Sequence, residues 1–214
     1  LQRLTQLGAN TLGITSPGDG EGKTVAAINL AVHISMEIDW TVLLVDADLH
    51  APSVHRILGL EVKAGLSDYL AGRARVEDLL IHPGFGRFVI LPGHDAMENS
   101  SEMLSSVRML ELVSELKARY PKRMVIFDLP PLLSSSDTLA FSPFAEAFLM
   151  VVEEGRTRQE DVVRAAQMLD SSKLLGTVLN KARDISVGRG PGPTGDEPRG
   201  GWVRRLLRRR SGRA

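Results

Sequence analysis

Residues 11–24 read Thr11-Leu-Gly-Ile-Thr-Ser-Pro-Gly-Asp-Gly-Glu-Gly-Lys-Thr24. A short apolar run at 11–15 passes into a loop with glycine at 18, 20 and 22, and a helical pattern follows over 24–36. Strand, glycine-rich loop and helix in this order predict a phosphate-binding loop. Glycine lacks a Cβ, so the backbone can take positive φ and turn several N–H groups into one concavity at a helix N-terminus. Lys23 adds a point charge for the β and γ phosphates, and the Thr24 hydroxyl is placed for Mg²⁺. The pattern G-x-x-x-x-G-K-[ST] is met except at its first position, where Pro17 stands. The expected nucleotide-binding residues are therefore Gly18, Asp19, Gly20, Glu21, Gly22, Lys23, Thr24 and Val25.

Outward from this loop, Val-, Ile- and Leu-rich runs at 11–15, 41–46, 88–91, 124–128, 147–152 and 174–179 alternate with helical patterns at 24–36, 107–119 and 159–169. That alternation predicts an α/β P-loop fold with a largely parallel sheet flanked by helices. Val107, Leu110, Leu112, Val113 and Leu116 illustrate the helical spacing. Two strands end in acids, one at Asp46-Ala-Asp48 and the other at Asp128-Leu-Pro-Pro131. In open parallel sheets ligand groups gather beyond the carboxyl ends of strands. Carboxylates there suit Mg²⁺, a hard cation that takes oxygen ligands and keeps several waters. Asp46 is the candidate to accept a proton from an attacking hydroxyl.

Composition narrows the function classes. The chain of 214 residues carries 26 Lys plus Arg against 26 Asp plus Glu, is 43% apolar and has no cysteine. Disulfide frameworks and thiolate zinc sites are excluded. The five histidines show no metal spacing. No apolar run reaches the roughly 18 to 20 residues of a membrane-spanning helix, and no signal-peptide layout opens the chain, so a cytoplasmic protein is expected. Residues 182–214 hold nine arginines and three acids, a net of +6, which leaves residues 1–181 at −6. An acidic body is not built to grip nucleic acid, and no specific nucleic-acid partner is expected. Residues 182–214 read as a flexible, disordered basic tail following a domain at 1–181. Within that tail, Trp202-Val-Arg-Arg-Leu-Leu-Arg-Arg-Arg210 pairs Trp202 with Leu206 and Val203 with Leu207 at helical spacing. This basic amphipathic pattern points to peripheral contact with the inner face of the cell membrane.

The ordered set comprises residues 16–24, Val42-Leu-Leu-Val-Asp-Ala-Asp48, Pro52-Ser53, Gly65-Leu-Ser-Asp-Tyr-Leu70, Ser101-Glu-Met-Leu-Ser105, Val125-Ile-Phe-Asp-Leu-Pro-Pro131 and Val178-Leu-Asn-Lys181. It resembles the bacterial tyrosine kinases of capsule and exopolysaccharide synthesis, the BY-kinases, over about residues 10–181. The resemblance implies ATP and Mg²⁺ as cofactors and makes residues 16–24 the Walker A loop, 42–48 the Walker A′ motif and 125–131 the Walker B motif. By the same resemblance Lys23, Asp46, Asp48 and Asp128 form the reacting centre, Thr24, Asp48 and Asp128 serve the metal, and Asn180 lies beside the adenine. A membrane-embedded polysaccharide co-polymerase and homo-oligomerisation are the implied partnerships. The wider group includes MinD and ParA ATPases, whose loops carry a signature lysine where this chain has Gly18, and that difference favours the kinase branch. Other positions depart from the kinases: His50 stands where arginine is usual, residues 182–214 contain no tyrosine, and the chain's tyrosines are Tyr69 and Tyr120. An ATPase switch and a nucleotide-dependent adapter that does not turn over are the alternative readings.

Overall fold

The computed structural model describes residues 2–84, 86–119 and 122–182. Tyr120, the tail from 183 onward and the expected membrane-contact stretch 202–210 lie outside the described residues. The order of elements is α1 (Gln2–Gln6), β1 (Thr11–Thr15), α2 (Lys23–Ser35), β2 (Thr41–Asp46), α3 (Val54–Ile57), α4 (Leu66–Leu70), a 3₁₀ turn (Val76–Leu79), β3 (Phe88–Leu91), α5 (Ser100–Leu104), α6 (Val107–Arg119), β4 (Arg123–Asp128), α7 (Asp137–Phe141), β5 (Ala147–Glu153), α8 (Gln159–Met168) and β6 (Leu174–Asn180).

The six strands form one parallel sheet in the order β3-β2-β4-β1-β5-β6. Strands β1, β2 and β4 are rich in apolar and β-branched residues and are buried on both faces, as helix-covered parallel strands must be. From β1 the chain steps through β2 and β3 towards one edge, whereas after β4 it crosses to β5 and β6 at the other. The carboxyl ends of β1, β2 and β4 therefore open onto one crevice. Gly13 permits this packing, because a Cβ there would lie 2.5 Å from the Phe148 ring and 2.9 Å from Leu129.

Helix α6 refines the sequence reading. At about 100° per residue, Met109, Leu112, Val113 and Leu116 share one face, and these four are the buried ones. Val107 and Leu110 lie well off that stripe and are 70% and 46% exposed. Beneath the sheet, Phe127 and Phe141 meet at 4.6 Å between ring centroids, with Phe148 in the same core.

A candidate nucleotide and phosphoryl-transfer site

The loop between β1 and α2 is shaped by its glycines. Gly20 and Gly22 take φ of 78° and 90°, a region that L side chains rarely enter. Gly22 directly precedes α2, and no side chain caps the helix there. The first N–H groups of a thirteen-residue helix thus lack a capping side chain at the positive end of its dipole, the arrangement that receives a phosphate. The Ser16 hydroxyl donates to the Gly18 carbonyl at 2.7 Å. Farther along, the Asn180 amide donates to the Glu21 carbonyl and Lys181 Nζ to the Gly20 carbonyl, both at 2.8 Å.

Three carboxylates face the lysine at the head of α2. Lys23 Nζ donates to Asp48 Oδ2 at 2.6 Å, while Asp48 Oδ1 accepts the Ala51 N–H at 3.2 Å. Asp46 and Asp128 end neighbouring strands and are register partners, so the backbone ladder sets them side by side. Asp46 Oδ2 accepts the N–H groups of Ser53 and Val54 at 2.9 and 3.0 Å, and its Oδ1 has no partner. Neither oxygen of Asp128 has a well-formed hydrogen bond, although both acids are wholly buried. Ser53 Oγ reaches the Thr24 hydroxyl at 3.4 Å.

The electrostatics follow from this crowding. Burial and then the Asp128 charge push Asp46 up to about 7, against the pull of the Val54 and Ser53 N–H groups. Burial likewise raises Asp128 to about 6, against Lys23 and the nearby Thr24 hydroxyl. Burial also works against the Lys23 ammonium, yet Asp128, Asp48 and Asp46 outweigh it and hold its pKa above the ordinary value. Buried carboxylate oxygens without donors need a cation or a proton. These residues fit Mg²⁺. Among the described residues no three His, Asp or Glu side chains are arranged to cage an ion by themselves, so Thr24, Asp48 and Asp128 would share it with phosphate oxygens and water.

Of the residues named from sequence, the fold brings Lys23, Thr24, Asp46, Asp48 and Asp128 together. Gly18, Gly20, Glu21 and Gly22 form the loop, with Asp19 exposed at its turn and Val25 half exposed in the first turn of α2. Asn180 is the last residue of β6 and holds the loop by its side chain. His50 turns to the Ser100 hydroxyl at 3.0 Å and lies 3.6 Å from Asp137. Tyr69, in α4, has its hydroxyl on the Arg108 carbonyl at 3.4 Å and the Arg108 guanidinium over its ring. Two residues that touch this set were not read from sequence, Thr157 and the buried Asp137, and they lie far along the chain from Glu21 and His50, which they touch. Ser53, quoted with Pro52 in the ordered set but given no role, closes the turn that follows Asp46 and Asp48.

A fold and crevice of this kind define a P-loop nucleotide-binding domain. The chain belongs to the CobQ/CobB/MinD/ParA nucleotide binding domain family, whose family model matches residues 12–186. It is 37% identical over 169 residues to the tyrosine-protein kinase YwqD of Bacillus subtilis (strain 168), covering 78% of this chain and 70% of that protein. Other tyrosine-protein kinases that it matches are longer, and the chain spans 24% of one and 23% of another. Among solved structures, the kinase domain of Escherichia coli tyrosine kinase ETK superposes with a TM-score of 0.79 at 29% identity, covering 90% of this chain and 75% of that one. The septum site-determining protein MinD of Pyrococcus horikoshii OT3, complexed with Mg-ADP, gives 0.67 at 27% identity, covering 79% and 69%. Among the described residues no helix is long and apolar enough to cross a membrane.

Proposed function

We propose that the domain at 1–181 transfers the γ-phosphoryl group of ATP, with Mg²⁺, to a protein tyrosine, and so regulates exopolysaccharide or capsule synthesis and export. The observation that carries the reading is the crevice itself, where Lys23 meets Asp48 at 2.6 Å beside two buried carboxylates with oxygens to spare. Likeness to YwqD and to the ETK kinase domain favours the tyrosine acceptor, as does Gly18 in place of the MinD-type lysine.

In this mechanism the N–H groups at the head of α2 and the Lys23 ammonium bind the phosphates, while Thr24, Asp48 and Asp128 would hold the metal. Mg²⁺ there would supply positive charge against the phosphates. Asp46, whose Oδ2 accepts the Ser53 and Val54 N–H groups while its Oδ1 has no partner, takes the phenolic proton as the tyrosine oxygen bonds to the γ phosphorus. The bond from that phosphorus to the bridging oxygen breaks, and ADP departs. Asn180 lies at the adenine end. The basic segment 202–210 of the tail 182–214 serves peripheral contact with the inner face of the membrane near a polysaccharide co-polymerase, and copies of the domain associate.

The second reading, an ATPase switch, is favoured by the MinD likeness. Incubation with γ-labelled ATP and Mg²⁺, with and without source-cell membranes, separates the two. Label on tyrosine that is lost in Asp46→Asn supports the kinase, whereas free phosphate without labelled protein supports the switch. Lys23→Ala should lower either activity at least a hundredfold, and undiminished turnover there removes the site assignment.

A further inference from the structure

A second set of contacts shapes the phosphate loop through side chains that face away from the reacting centre, among them Thr157, which lies in none of the motifs. Glu21 is 5% exposed although it sits in a surface loop. Its carboxylate points back into the protein, where Oε2 accepts the Gly18 N–H at 3.1 Å and Oε1 accepts the Thr157 hydroxyl at 2.6 Å. The same Thr157 oxygen accepts the Glu153 N–H at 2.8 Å, at the end of β5. A continuous line therefore runs from β5 through Thr157 and Glu21 to Gly18. Asn180 on the Glu21 carbonyl and Lys181 on the Gly20 carbonyl reinforce it from β6.

We infer that Thr157 is a positioning residue of the nucleotide site, acting through Glu21 to hold the phosphate loop in its binding shape before any nucleotide arrives. Three physical points carry this. Glu21 lies between Gly20 and Gly22, which give the loop its two left-handed turns, and glycines hold such turns only when something outside them does the holding. The buried Glu21 carboxylate has two donors, so removal of the Thr157 hydroxyl leaves Oε1 short of a partner and frees the group to turn towards water. A turn of Glu21 releases the Gly18 N–H as well, and the loop must then be ordered by the nucleotide itself, at the expense of affinity. Thr157 touches neither Lys23 nor the strand-end carboxylates in any described contact, so its loss should weaken binding without slowing the saturated reaction.

The first arm of the test reads nucleotide binding and is independent of whether tyrosine is the acceptor. The protein of residues 1–214 is titrated with a fluorescent ATP analogue and Mg²⁺, and the Kd is compared across Thr157→Val, Thr157→Ala, Thr157→Ser, Glu21→Gln and the double variant Thr157→Val with Glu21→Gln. About tenfold weaker binding is expected for Val and for Ala, which delete the same hydroxyl with different packing, and recovery to within about twofold is expected for Ser. In the Glu21→Gln background the Val substitution should add little, because its route is already cut. Unchanged Kd in both hydroxyl deletions, or a full tenfold loss on top of Glu21→Gln, overturns the inference. Lys23→Ala serves as the reference for a broken site: if it too binds normally, the phosphate-loop assignment falls rather than the role of Thr157. Turnover at saturating ATP should stay within about twofold in Thr157→Ala; a fall in turnover with unchanged Kd overturns the positioning role.

Discussion

Asp46 and Asp128 are held next to each other by the pairing of β2 with β4, and neither can retreat without breaking that ladder. Relief comes from protons or cations, and this fixes a pH dependence. Both groups have folded-state values, about 7 and about 6, above the ordinary carboxylate value that the unfolded chain would show. Between pH ~4 and ~7 the folded protein thus holds more protons than the unfolded one, and stability is fully present at the acid end of that window and lost as pH rises through it. Melting of the nucleotide-free protein should accordingly show a falling Tm from about pH 5 to pH 8, against a smaller opposite contribution from His55, whose pKa burial lowers, with the slope much reduced in Asp46→Asn. A Tm that rises across this range would refute the assigned direction. The convergence of Lys23, Thr24 and the three acids was legible in sequence because the loop and the acids follow the carboxyl ends of strands in short motifs. Thr157 was not, because its partner Glu21 is 136 positions away and neither residue type is informative by itself.

At the scale of elements, the strands and the long helices followed from apolar runs and helical spacing, and their ends moved by a residue at most. Helix α2 begins at Lys23 rather than Thr24, and β6 runs on to take in Asn180. The short helices α3, α5 and α7 were not legible, since four or five residues make barely one turn and show no period. Their positions are set by what they pack on: the Thr138 hydroxyl in α7 donates to the Pro130 carbonyl at 2.6 Å, which joins α7 to the end of β4. Strand β1 is tightly packed at Gly13, and Gly13→Ala tests that. Its backbone is not in the left-handed region, so the cost is purely steric, from a methyl group driven into Phe148 and Leu129. A loss of about 1–3 kcal/mol in urea unfolding is expected. An unchanged midpoint would mean that β1 and β5 separate more easily than their packing implies.

For the whole molecule, the parallel order with its change of direction after β4 was legible only as a class. Alternating strands and helices indicate a parallel sheet, but which strand lies beside which depends on contacts between distant segments. Binding at the crevice should be felt by the entire domain, since the nucleotide would touch the ends of several strands that unfold together. At a hundredfold excess over Kd, Mg-ATP should add about 2.7 kcal/mol of stability, a rise of roughly 5–10 °C in Tm for a domain of this size. Differential scanning fluorimetry reads this directly, and Lys23→Ala should abolish the shift. The clasp on the phosphate loop also has a bearing on how the protein is made. The loop is synthesised well before the side chains that fasten it from β6, Asn180 and Lys181, which follow more than 150 residues later. A nascent chain that stops short of β6 would carry every Walker residue and still hold its nucleotide loosely, so competence arrives only once β6 has been made.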